Sequence, residues 1–182
     1  AEAVELFRDA PRIWRATGYA IGVALATCNL GRAQARMGAT ADALALLEEA
    51  ERVFRAIGVP EFAALAHAWR AEALLLGGRA DDALATARDV LAVGRAGVED
   101  HAVRAQAHRT AGLAHLARGE LEQAGEALAH ARRESEGTPY EAALTRAAEA
   151  RLLEARGEPA SPARAEALRM LAPLGATGAV AS

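Results

Sequence analysis

The stretch ADALALLEEAERVFRAIG, residues 41–58, reads as one amphipathic helix closed by a turn. Its apolar residues Ala43, Leu46, Leu47, Ala50, Val53, Phe54 and Ile57 recur every three or four positions, while Glu48, Glu49, Glu51 and Arg52 fall off that stripe. A half-buried strand would alternate every second residue, so the period assigns a helix with one face to a core. Gly58 ends it, because glycine accepts the left-handed backbone that closes a helix C-terminus. Gly38 closes the preceding helix in the same way, so residues 41–58 are the second half of a helix pair.

The pair recurs along the chain. Ala3, Ala43, Ala83 and Ala124 open helical patterns at spacings of 40, 40 and 41. Gly38, Gly78, Gly119 and Gly157 close one helix of each pair at spacings of 40, 41 and 38, and Gly18, Gly58, Gly97 and Gly137 close the other at 40, 39 and 40. A fixed period of this length marks a stacked array of helix pairs. In residues 60–76 the larger apolar side chains Phe62, Leu65, Trp69, Ala73 and Leu76 again share one face. Pro60, Pro139 and Pro162 suit a first helical turn, with Thr138 and Ser161 just before two of them as N-caps. The pattern predicts helices over residues 1–17, 19–37, 40–57, 60–77, 80–96, 99–118, 121–136, 139–156 and 162–173. The expected organisation is one repeat array over 1–173 (half repeat 1–18, then repeats 19–58, 59–97, 98–137 and 138–173) and a flexible tail, 174–182.

Composition agrees with an all-α fold. The 182 residues include 51 Ala and 22 Leu but only 4% aromatics, and Ala is the best helix former. All 21 basic residues are Arg, a usage that points to a GC-rich, bacterial genome. A net charge of -3 offers no general attraction for nucleic acid or anionic lipid, so neither is expected as a direct partner. The single cysteine, Cys28, forms no internal disulfide, which fits a cytoplasmic protein. The longest uncharged run, residues 16–31, is too short and too polar for a membrane span. The start Ala1-Glu2-Ala3 lacks both an initiator Met and a signal pattern, and the chain is expected to begin after processing or inside a longer protein.

Asn29-Leu30-Gly31, Gly38, Ala43-Leu44 and Ala50 resemble the tetratricopeptide repeat, as do Arg70-Ala71, Gly78, Ala83-Leu84 and Val90, and Ala111-Gly112, Gly119, Ala124-Gly125 and Ala131. Small residues in these slots let neighbouring helices cross with their backbones close together. The family's bulky first-helix aromatics are replaced by Thr27, His67, His108 and Arg146 and by Gln34, Leu74, His115 and Leu153. The longer period, with Leu47-Glu48-Glu49-Ala50 and Pro139-Tyr140-Glu141-Ala142-Ala143-Leu144, is similar to repeats at the C-terminal end of large bacterial signal-transduction ATPases, transcription regulators and nucleotide cyclases. The resemblance implies antiparallel helix pairs stacked into a right-handed α-solenoid, with a regulatory or assembly role.

The chain offers little chemistry. His101, His108 and His115 share one helix face, but a spacing of seven residues is about 10.5 Å of rise, too far for two of them to grip one metal. They are read as core-edge residues, as is His67 in the slot equivalent to His108, and His130 has no evident partner on its own face. With no Lys there is no phosphate-loop lysine or Schiff base, and no glycine-rich or nucleophile-elbow motif occurs. Cys28 on an Ala-rich helix reads as a packing residue. Asp81-Asp82 and Glu48-Glu49 suit helix starts and solvent faces. No catalytic residue, cofactor or metal is expected.

What remains is a surface. In the family the first helix of each pair lines a groove, and the resemblance carries that role to Cys28, Asn29, Arg32 and Arg36. The matching residues are Leu65, Trp69, Glu72 and Leu76, then Gln106, Arg109, Thr110 and Leu113, then Leu144, Ala147 and Arg151. This set suits a protein or peptide segment carrying carboxylates and an apolar side chain, another domain of the parent chain included. The alternative is a small-molecule or peptide sensor with a closed apolar pocket near Trp69. Self-association through the N-terminal half repeat, by Val4, Phe7, Ile13 and Trp14, stays open.

Overall fold

A computed structural model describes residues 19–94, 100–176 and 178. The chain divides into two compact units, Ala1–Glu99 and Asp100–Ser182. The first contains α1 (Ala20–Arg36), α2 (Thr40–Ala56), α3 (Pro60–Leu76) and α4 (Ala80–Gly94). The second contains α5 (His101–Ala117), α6 (Leu121–Glu134), α7 (Pro139–Ala155) and α8 (Ser161–Leu171), followed by a 3-10 turn at Ala172–Leu174. No strand occurs among the described residues. The helix expected over 1–17 lies outside them, as do Gly18, Gly97 and most of the tail.

Within each unit the helices pack in chain order, α1 on α2, α2 on α3 and α3 on α4, then α5 on α6, α6 on α7 and α7 on α8. The first helices of consecutive pairs also touch, α1 with α3 and α5 with α7. Contacts between α5 and α6 run in opposite order along the two helices, Arg104 to Glu134, His108 to His130 and Gly112 to Leu128, so the pair is antiparallel.

Three-residue turns join the helices of the first three pairs, and residues 156–160 join those of the last. At the end of α1 the Gly38 N–H bonds to Ala35 O at 3.1 Å and the Ala39 N–H to Gln34 O at 3.0 Å, the double bond of a Schellman closure. This geometry requires φ +84° at Gly38, where a Cβ would be strained. The carbonyl of Ala39 then accepts the Ala43 N–H at 3.0 Å, so one residue ends a helix and starts the next. The other turn glycines of both series that fall in the described residues have positive φ as well.

The expected caps are corrected. Thr138 makes no side-chain cap: its Oγ1 donates to Ser135 O at 2.9 Å, so the hydroxyl is spent on the turn behind it. Ser161 is already the first residue of α8, with Ala160 before it, and also does not cap. Asp100 does, accepting from the Ala102 N–H at 2.9 Å and the Val103 N–H at 3.2 Å. Pro60, Pro139 and Pro162 occupy first-turn positions as read.

The core is built from small side chains at the crossings. A Cβ on Gly31 would meet Leu47 Cγ at 2.9 Å and Ala43 O at 3.1 Å; one on Gly112 would meet Leu128 Cγ at 2.8 Å and Ala124 O at 3.3 Å. Each glycine of a first helix therefore receives a fully buried leucine of the second, one turn beyond a fully buried alanine. Around the first crossing cluster Ala24, Cys28, Ala50, Phe54, Ala66 and Trp69, with Phe62 against Phe54 at a ring separation of 5.4 Å. In α2 the stripe residues Ala43, Leu47, Ala50 and Phe54 are buried. Glu51, read as off the stripe, is buried too at 5% exposure, whereas Leu76 at the end of α3 is 52% exposed and leaves its expected face. No described helix is long and apolar enough to cross a membrane.

Candidate functional site

The residues expected along the first helices form two clusters, one in each unit. In the first unit Arg32 lies with its guanidinium carbon 4.7 Å from the Trp69 ring centre, and its Nε is 3.5 Å from Glu72 Oε2. Arg36 Nη2 donates to Glu72 Oε1 at 3.0 Å. Arg32, Arg36, Trp69 and Glu72 thus join α1 to α3 through a cation over an aromatic face and a carboxylate between two guanidiniums. Asn29 and Leu65 are half-buried, and Arg36 and Leu76 are exposed. Cys28 is fully buried, and burial pushes its thiol up to about 12, with Glu51 adding to the shift and Arg32 opposing it. A thiol so placed is no nucleophile at neutral pH.

In the second unit Arg109 Nη1 donates to Glu141 Oε2 at 2.6 Å, an ion pair joining α5 to α7 with both side chains largely shielded. Gln106, Thr110 and Leu144 are buried, Leu113 and Ala147 are half-buried, and Arg151 is exposed. Sequence reading missed Glu141 as the partner of Arg109; an acid in the first turn of a helix is easily assigned to the dipole alone.

It also missed a buried charge. Glu51 Oε1 accepts from His67 Nδ1 at 2.8 Å and from Arg55 at 2.5 Å, with Arg70 3.3 Å from the other oxygen. Burial alone would raise the Glu51 carboxyl, but the bond from His67 and the charges of His67, Arg70 and Arg55 outweigh it and hold it below the ordinary range. The signal was present in sequence: Glu51 is one turn before Arg55, and His67 is a polar residue set between Ala66 and Ala68.

The three histidines of α5 have separate neighbours. His101 Nδ1 lies 2.8 Å from Glu134 Oε2, and His115 Nδ1 lies 2.5 Å from Glu120 Oε2. His108 stacks on His130 of α6, ring centres 4.9 Å apart and planes at 17°. His130 therefore has a partner across the hairpin that its own helix face did not reveal. Among the described residues no group of three or more His, Cys, Asp or Glu could hold a metal ion.

A concavity of about 400 Å³ opens in the first unit, lined by Gly58, Val59, Pro60, Ala63, Ala64 and Val90, with Arg55, His67 and Asp89 at its polar side. It lies at His67, away from the position near Trp69 expected for a closed apolar pocket. Compared with protein-family models and with curated proteins, the chain matches none.

Proposed function

We propose that the chain is a non-catalytic protein-binding module, its helix pairs of tetratricopeptide type stacked into a right-handed α-solenoid within a larger bacterial signalling or transcription-regulatory protein. The observation that carries this reading is the repeated crossing: Gly31 against Ala43 and Leu47, then Gly112 against Ala124 and Leu128, at identical offsets of 12 and 16 residues. Such spacing belongs to arrays whose units stack through shared geometry and bind through the face left over. The buried ion pairs and the inert thiol favour scaffold over catalyst. The partner is a protein segment with acidic and apolar side chains, engaging the α1/α3 face at Asn29, Arg36 and Leu76.

Affinity capture from native extract tests it, comparing the wild type with Arg36→Glu/Leu76→Asp. Both residues are exposed, so helical content should be unchanged while the captured partner is lost. Equal capture by both proteins would remove this face from the reading. Arg109 is unsuited to the same test, because charge reversal there strikes a buried ion pair.

The concavity at His67 supports a second reading, a small-molecule or peptide sensor, since its volume falls in the range of ligand sites. Ligand-induced thermal shifts abolished by Ala63→Trp, which fills the wall of the concavity, would favour it over the first.

A further inference from the structure

Two imidazoles, His108 and His130, stack between α5 and α6 with guanidiniums close by. Arg133 Nη2 lies 2.9 Å from His130 Nδ1, and a guanidinium has no acceptor, so Nδ1 must offer its lone pair. Beneath it His108 is half-buried, its ring parallel to that of His130. The charged groups acting on His108 are His130 and Arg133 from α6, Arg104 from its own helix, and Glu134. Glu134 is the one carboxylate in this group, and it is already committed to Arg104 Nε at 2.9 Å and to His101 Nδ1 at 2.8 Å. A proton on His108 meets two guanidiniums and no uncommitted anion.

We propose that the His108–His130 stack is a proton-sensitive latch, holding the α5–α6 hairpin closed while the His108 ring is neutral and loosening it when that ring takes up a proton. It is independent of the binding role proposed above. The direction of the pH dependence follows from linkage. Burial first, then His130 and Arg104, bring His108 from the ordinary 6.5 down to about 4. The unfolded or opened hairpin binds a proton at the ordinary value and the closed one does not. The latch is therefore fully engaged above 6.5 and weakens as pH falls from there toward about 4.

His108→Phe keeps an aromatic ring in the stack and removes its titration. At about pH 8 the two proteins should melt with a constant offset. Between 6.5 and about 4 the wild type should lose roughly 2–4 °C of Tm more than the variant. An offset that stays flat across that range overturns the proposal. Imidazole C–H resonances of the wild type give an independent reading: His108 should titrate well below the ordinary value, and a midpoint near 6.5 overturns it. Arg133→Met, at an exposed position, should raise the midpoint of His108, and an unmoved midpoint would overturn the part assigned to this guanidinium.

Discussion

His67 in the first unit and His108 in the second occupy equivalent slots, 41 residues apart, and are handled in opposite ways. His67 donates to the buried carboxylate of Glu51, which also gathers Arg55 and Arg70. His108 meets another imidazole and two guanidiniums. The helix crossings beside them are the same in both units, Gly31 against Leu47 and Gly112 against Leu128. The difference teaches that the repeat specifies how closely backbones approach and leaves each interface to settle its own charge. Even the crossing has a variant, since the equivalent residues of the second pair, Ala71, Ala83 and Ala87, are all fully buried. There each helix contributes one methyl, where the neighbouring pair uses a glycine and a whole isobutyl group.

The comparison is broken most severely by emptying a crossing. Leu128→Ala leaves a cavity over Gly112 and should cost about 2–5 kcal/mol of unfolding free energy, read by urea denaturation. Gly112→Ala drives a methyl into Leu128, at 2.8 Å from its Cγ, and should cost about 1–3 kcal/mol through overpacking. The double variant rebuilds the Ala71–Ala87 arrangement and should cost less than the sum of the two. Strict additivity would show that the two crossings are not equivalent after all.

The charges sharpen the contrast between the units. Glu51→Gln leaves His67, Arg55 and Arg70 without their anion and should cost about 1.5–3 kcal/mol at neutral pH. Glu51 is held below its ordinary 4.5, so its contribution is present above that pH and is lost as pH falls through the depressed value. The gap between wild type and variant should therefore close below about 4.5, at lower pH than the loss at His108. A gap independent of pH would contradict a charged Glu51. The smallest effect is expected at Arg32→Gln, about 0.5–1 kcal/mol from the lost stacking on Trp69, detectable as a small shift in the same denaturation midpoint.

Helix identity was legible because it depends on short-range signals. The eight described helices agree with the predicted spans to within three residues at each end, since period, proline and left-handed glycine all act within a few positions. The small-residue slots at Gly31, Ala43, Gly112 and Ala124 were legible as close approaches for the same reason: only absence of bulk permits them. The caps were less so, because Thr138 and Ser161 are defined by a helix start that moved by one residue or by a hydroxyl with a nearer acceptor.

By itself the sequence determined an all-α chain of helix pairs, their turns and the places where pairs cross. Only the tertiary structure decided which charges meet: Glu51 with His67, Arg109 with Glu141, Arg32 over Trp69 and His108 against His130. The physical reason is range. A helix and its closing turn are set by neighbours in sequence, whereas the partner of a long polar side chain is set by the rotation and register of a second helix, to which an Ala-rich surface contributes few distinguishing contacts.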